Sequence, residues 1–178
     1  MTDTEVERKQ HDAEGVEPSL IARLAKAFET ELSPGDMADL RRLDPDDPAA
    51  PGFWKVVVGH LEPGAVLEYF GPARDEAERR WAVILSCMAI TQRQYRPGRR
   101  LGEALGASGL SELRFVRLLR AHGPALANAL RLVARFLASK AEPLDWADLV
   151  RLVLSDDRPW AEPVRRQLAR DYYRAVSK

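Results

Sequence analysis

Residues Arg93 to Lys140 read RQYRPGRRLGEALGASGLSELRFVRLLRAHGPALANALRLVARFLASK, and their periodicity decides the fold. Pro97-Gly98 breaks the chain, Leu101–Leu105 restarts it as a short helix, and Gly106-Ala107-Ser108-Gly109 makes a turn. Ser111 stands where a helix cap belongs, and the helix it opens is expected to run to about Ala121. At 100° per residue, Phe115, Val116, Leu118 and Leu119 fall within an arc of roughly 160°. Arg114, Arg117 and Arg120 occupy the opposite side, with no acid at i+3 or i+4 to neutralise them. Gly123-Pro124 starts a further helix, to about Lys140, with Leu126, Leu130, Val133, Phe136 and Leu137 on its inward side. Arg131 and Arg135, one turn apart, share the other face with Asn128. Leu, Ala, Arg and Glu dominate the long segments and β-branched runs are few, so the expected class is all-α, with eight or nine helices.

The same stretch carries ten basic residues against two acids, a local surplus of eight, although the whole chain has 27 of each sign. Nine of the ten are arginine, whose planar fork of donors suits phosphate. The surplus is balanced elsewhere: residues 1–17 and 18–92 each carry four more acids than bases, and residues 141–178 carry seven of each. Segregated charge of this kind points to a charged partner. The residues therefore predict a surface that holds a nucleic-acid backbone.

Outward from that stretch, residues 1–17 have no helical stripe and are expected to be a disordered acidic tail. Pro18 can open a first helix, with Leu20, Ile21, Leu24, Ala27 and Phe28 at helical spacing. Ser33-Pro34-Gly35-Asp36 has the chemistry of a helix start, with Ser33 capping and Asp36 at the positive end. Arg41 and Arg42 close that helix, where they either complement its dipole or bind an anion. Asp44–Gly52 is a Pro- and Asp-rich loop. Phe53–Leu61 is expected to be a short helix with Trp54 as its core anchor, Pro63–Pro72 an irregular link, and Asp75–Gln92 a long helix facing inward through Trp81, Ile84, Leu85 and Met88. Tyr95 in the basic loop is placed either to stack on a partner or to pack. Asp145 is a suitable cap before Trp146, Leu149, Val150 and Leu152, and a final helix is expected from about Glu162 to Val176. That helix carries Arg166, Arg170 and Arg174 at i, i+4 and i+8, with Asp171 on another face. The expected organisation is a tail (1–17), an amino-terminal helical bundle (18–98) and a basic carboxy-terminal bundle (99–178), the two bundles small and closely packed.

Several function classes lack their residues. The single cysteine, Cys87, sits in the apolar run WAVILSCMAI and reads as a small buried hydrophobe. His11, His60 and His122 are far apart, and none sits in HExxH. There is no GxxxxGK[ST], no GxGxxG after a strand and no GxSxG. The pairs Asp46-Asp47 and Asp156-Asp157 lie beside prolines and read as turn residues. No run reaches the ~18 apolar residues of a membrane span. The expectation is a cytoplasmic protein without catalysis, cofactor, metal or membrane contact.

Two readings of the basic segment remain at this point. LGEALGASGLSELRFVRLLRA (Leu101–Ala121) has the outline of a helix-turn-helix, which would read bases in the major groove. Against it, the outward side chains of its second helix are arginines almost without Asn, Gln or Ser, and arginine continues onto the following helix and the last one. That pattern describes a phosphate track more than a base reader. A scaffold whose arginines meet acidic neighbours is the other possibility, and Arg131 and Arg174 are equally suited to salt bridges within the fold.

The ordered set GDMADLRRL, LGEALGASGLSELRFVRLLRA, PLDWADLVRLVL and VRRQLARDYYR resembles the CasB family, the small subunit of the type I-E CRISPR surveillance complex Cascade, over about residues 18–176. The resemblance implies an all-α fold of two small helical bundles and a subunit without catalytic activity. It implies that two copies lie head to tail in the complex, beside the other Cascade subunits. They contact guide RNA and target DNA without sequence specificity, and stabilise the R-loop including its displaced single strand. Carried onto this chain, the implied nucleic-acid-binding residues are Arg42, Arg99, Arg100, Arg114, Arg117, Arg120, Arg131, Arg135, Arg166 and Arg170.

Overall fold

The structure, a computed structural model, describes residues 20–62 and 72–178. The expected acidic tail and nearly all of the expected link at 63–72 lie outside them. Among the described residues the regular elements are helices: α1 (20–30), α2 (Pro34–Arg42), α3 (Pro51–Val56), α4 (Pro72–Ile90), α5 (Leu101–Ala107), α6 (Glu112–Arg120), α7 (Gly123–Ser139), α8 (Ala147–Leu154) and α9 (Ala161–Val176). The all-α expectation holds, and each expected helix is present within a few residues of those expected ends that are described; the expected start of the first one, Pro18, lies outside the described residues.

The core is one connected cluster from Leu20 to Tyr172. Its axis is α4, where every residue from Trp81 to Ala89 is buried. A helix that is apolar all round has to be covered on all sides, and α2, α7 and α8 pack against this one. Cys87 is buried there, and burial pushes its thiol up to about 12, against the pull of Arg131 and Arg135. Trp146, just before α8, ties the layers together. Its ring stacks on Tyr95 at 4.2 Å, lies 5.9 Å from Phe28, and its Nε1 donates to Thr91 Oγ1 at 3.0 Å. Tyr95 thus packs within the protein.

The cap of α2 is the one its sequence specifies. Asp36 N donates to Ser33 Oγ at 3.1 Å, and Ser33 N donates back to Asp36 Oδ2 at 3.0 Å. Lys55 Nζ adds bonds of 2.9 and 2.8 Å to the same carboxylate. Lys55 and Ser33 hold the Asp36 carboxyl down at about 2.

Three local expectations need correction. The helix expected over Phe53–Leu61 begins at Pro51 and continues past Val56 as a π-turn, Val57–Leu61, closed by Glu62 N donating to Val57 O at 2.9 Å. In that register Phe53, Val56, Val57 and Leu61 face inward, so Phe53 is the anchor and Trp54 is 39% exposed. Ser111 occupies the cap position of α6, but its side chain makes no cap hydrogen bond. The Asp156-Asp157 pair is more than a turn: Asp156 binds Arg165, His122 and Gly123 N, and Asp157 binds Arg80.

Candidate nucleic-acid interface

Helix α6 carries the arginine ridge, and α9 fixes it at both ends. Phe115 and Leu118 are buried, while Arg114, Arg117 and Arg120 are exposed. At the amino-terminal end the Phe115 ring lies face to face on Tyr172, with centroids 3.7 Å apart and planes 10° from parallel. The Tyr172 hydroxyl donates to Leu110 O at 2.6 Å. At the carboxy-terminal end the Arg165 guanidinium donates to Leu119 O at 2.5 Å and Ala121 O at 2.9 Å, and to Asp156 at 2.5 Å. These are carbonyls that a helix end leaves without intrahelical donors. The ridge is therefore held rigidly while its own side chains stay free: Arg114, Arg117 and Arg120 make no ion pair or hydrogen bond among the described residues. An arginine exposed without an acid keeps its full donor set for a partner.

α5 packs on α9 through Gly102 and Gly106. A Cβ on Gly102 would stand 2.5 Å from Leu168 O and 2.8 Å from Asp171 Cβ, and one on Gly106 would stand 2.7 Å from Ala175 Cβ and 2.8 Å from Tyr172 O. Only glycine allows the two backbones this approach.

The remaining sequence-chosen arginines divide by what they touch. Arg99 pairs with Glu103 at 3.2 Å and Glu142 at 3.0 Å. Arg100 pairs with Asp148 at 3.2 Å and with the buried Asp171 at 2.6 Å. Burial pushes the Asp148 carboxyl up, against the opposing pull of Arg100 and the Leu101 amide. The loop carrying them is pinned further by Arg96 N to Leu144 O, Leu144 N to Gln94 O and Gly98 N to Asp145 Oδ2, at 2.8, 3.0 and 2.6 Å. Arg99 and Arg100 thus tie the start of α5 to α8, α9 and the segment after α7. Arg131 is half-buried and lines a cleft of about 570 Å³ with Arg80, Asp156 and Asn128, and its Nε has no acceptor. Arg135 is exposed and makes no ion pair or hydrogen bond among the described residues. Arg42 is exposed at the end of α2, with Nε donating to Ala38 O at 3.3 Å and a 3.9 Å approach to Asp39. Arg166 lies 3.6 Å from Glu162, both well exposed, and Arg170 has only a 3.5 Å contact to Gln167.

Sequence reasoning missed Arg165, Tyr173 and Lys178. Arg165 had a signal: with Ala161, Leu168 and Tyr172 it falls on the buried stripe of α9, so it had to point inward. Tyr173, Arg170, Arg174 and Lys178 line an open groove of about 740 Å³ beside α5. The tertiary position of Tyr173 against α6 has no sequence signature.

Among the described residues no group of His, Cys, Asp and Glu is placed to hold a metal ion, and no helix is long and apolar enough to cross a membrane.

Residues 36–173, from α2 to Tyr173 of α9, match the family of CRISPR-associated protein Cse2. No curated protein matches the chain. The chain is similar to one from the crystal structure of Escherichia coli Cascade bound to a PAM-containing double-stranded DNA target. The TM-score there is 0.65 at 26% identity, covering 88% of this chain and 95% of that one. It is also similar to CasB from Thermus thermophilus, with a TM-score of 0.61 at 25% identity and the same coverage of 88% and 95%.

Proposed function

Because the chain belongs to the CRISPR-associated Cse2 family, we propose that it is the non-catalytic small subunit of a Cascade complex, and that it stabilises the R-loop by holding nucleic-acid backbone without reading sequence. The observation that carries this reading is the α6 ridge: three exposed arginines without an internal partner, on a helix that α9 fixes at both ends. In such a complex guide–target pairing supplies sequence recognition, so the protein need only favour the open state. Arginine forks gripping phosphates do this wherever the strand runs, since phosphate contacts position without specifying. Arg135 and Arg170 are exposed enough to extend the contact. Arg42 and Arg166 meet only weak, exposed neighbours and remain available to phosphate. Arg131, half-buried in the cleft wall with its Nε out of reach of solvent, is less available than these. Arg99 and Arg100 would have to share their guanidinium groups with carboxylates, so their part is mainly to hold the fold. Guide RNA, target DNA, the other subunits and a second copy of the chain are the partners of this reading.

The test is binding of the full chain to random-sequence single-stranded DNA, duplex DNA and RNA across a salt series. Each phosphate contact contributes about −0.7 to the slope of log K against log salt on single strands. Replacing Arg117 and Arg120 together with alanine should therefore flatten the slope by about 1.4. The melting temperature should stay the same, because neither side chain has a partner in the fold. Preference for one duplex sequence would revive the helix-turn-helix regulator. No binding at low salt would make the chain a scaffold whose arginines meet protein.

A further inference from the structure

The carboxy-terminal end of α9 offers an aromatic face as well as charge. Tyr173 is 42% exposed, yet its ring is fixed. Its hydroxyl donates to Glu112 Oε1 at 2.8 Å, and the ring stands edge-on to Phe115 (6.1 Å, 88°) and to Tyr172 (5.3 Å, 83°), themselves buried and stacked. The Glu112 hydrogen bond pushes the Tyr173 phenol upward, so the ring carries no charge that would repel phosphate. Arg170, Arg174 and Lys178 line the same groove. Its two acids are already engaged: Glu103 pairs with Arg99 at 3.2 Å, and Asp171, 4% exposed, has Gln167 and Arg100 on its oxygens, which leaves Arg174, itself 72% exposed on its side chain, a contact of only 3.8 Å. Leu113, next to Glu112, and Val176, one turn past Tyr173, are 62% and 55% exposed.

A fixed, exposed ring flanked by unsatisfied cations matches one chemical pattern well: a flat apolar face with negative charge on either side, which is a nucleobase between its phosphates. Duplexes bury base faces in the stack, whereas single strands present them, and every base has a π-face. We propose that Tyr173 is a base-stacking platform that makes the α9 groove a site for single-stranded nucleic acid, with Arg170, Arg174 and Lys178 on the flanking phosphates. This rests on the nucleic-acid reading above and deepens it. Because Tyr173 is tied to Glu112 in the first turn of α6, the groove adjoins the start of the arginine ridge, and the two make one track with the stacking platform at their junction.

The experiment uses the full chain, fluorescein-labelled random 20-mers as single strands and as duplexes, and a single strand carrying 2-aminopurine, whose emission falls on stacking. Tyr173→Ala and Tyr173→Leu should each lose about tenfold in single-strand affinity, the scale of one base–aromatic stack, together with the 2-aminopurine quench. Duplex affinity should stay within about twofold. Tyr173→Leu keeps apolar bulk against Phe115 and so guards against loss of fold. Tyr173→Phe, without the Glu112 bond, should retain binding and quench. Equal losses on both substrates, an unchanged quench in Tyr173→Ala and Tyr173→Leu, or failure of Tyr173→Phe to retain binding would each overturn the platform. So would unchanged strand affinity with lost affinity for other subunits, which would assign the patch to protein contact. If Arg117→Ala/Arg120→Ala weakens binding while the Tyr173 variants do not, the backbone track stands and the platform falls. A wild-type chain that binds no strand at low salt overturns both.

Discussion

Arg165 and Arg166 are neighbours in sequence, and the structure predicts opposite consequences for losing them. The Arg165 side chain is 7% exposed and its partner Asp156 is 11% exposed. Replacing Arg165 with methionine fills much of the same volume but removes the donors to Leu119 O and Ala121 O and the ion pair with Asp156. Asp156 keeps the Gly123 amide and the His122 ring, so its charge is not wholly stranded. Removing one partner of a buried pair costs about 3–5 kcal/mol, and the retained bonds place this case near the lower end. In a chain of this size 1 kcal/mol moves the melting temperature by roughly 2–4 °C, so Arg165→Met should melt about 6–12 °C lower. Arg166 lies 3.6 Å from Glu162, with side chains 67% and 64% exposed. Such pairs contribute about 0–1 kcal/mol, so Arg166→Met should move the melt by no more than about 4 °C. Melting followed by circular dichroism at 222 nm, with urea unfolding as a second measure, decides it. Similar shifts for the two variants, or a shift under about 2 °C for Arg165→Met, would refute the assignment of Arg165 as the clasp between α9 and the end of α6.

Gly102→Ala should destabilise the fold although alanine is worth about 1 kcal/mol more than glycine in a helix. The new Cβ would stand 2.5 Å from Leu168 O, and overpacking of that kind costs about 1–3 kcal/mol. A melt that rises would mean that α5 and α9 separate freely. Asp36 gives a pH signature. Its carboxyl sits at about 2 in the fold against an ordinary 3.8, so its contribution is complete above about pH 4 and is lost as pH falls towards 2. Asp36→Asn should be less stable than wild type at neutral pH. The gap should close across that acid window, as read from urea midpoints at stepped pH.

Helix positions were legible because they rest on local rules. Pro and Gly breaks, the Ser33–Asp36 cap and the 3.6-residue stripes act over a few residues, so the order from α1 to α9 could be read from the chain. Phe53 and Trp54 show where such reading stops. Adjacent aromatics in a short apolar run differ only in register, and the π-turn that sets the register is closed by a bond from Glu62 to Val57. Arg165 against Arg166 is the same problem on a longer helix, solvable from the stripe. The family resemblance rested on an ordered set of segments, and the Cse2 match over 36–173 agrees with it. Partners from distant segments were not legible. Nothing local tells Arg99 that Glu142 lies 3.0 Å away, or Tyr173 that Glu112 is within hydrogen-bonding reach.

That blindness matters most for charge. Counted along the chain, residues 93–140 hold the surplus and residues 141–178 are neutral. Folding redistributes it. Glu142 and Asp148 are taken by Arg99 and Arg100, Asp171 by Arg100, and Asp157 by Arg80, all arginines from earlier in the sequence. Asp145 caps the Ala147 and Gly98 amides, and Asp156 is held mainly by buried Arg165. The acids that made the last segment neutral are thus spent holding the fold, and the bases they balanced on paper, Arg170, Arg174 and Lys178, are left weakly compensated on α9. The basic loop at 96–100, the densest cluster in sequence, has two of its three arginines, Arg99 and Arg100, paired by those same acids. Besides Arg93, Arg96 and Arg135, what remains free is α6 and the end of α9, and the bond between Tyr173 and Glu112 joins these two. A carboxylate from the balanced segment that neutralises an arginine from the basic one moves positive potential from the loop to α9, without changing the net charge. Mapping salt dependence by helix, with Arg99→Gln against Arg174→Gln, would read that transfer directly: the larger loss of salt slope belongs to Arg174, and the larger loss of stability to Arg99.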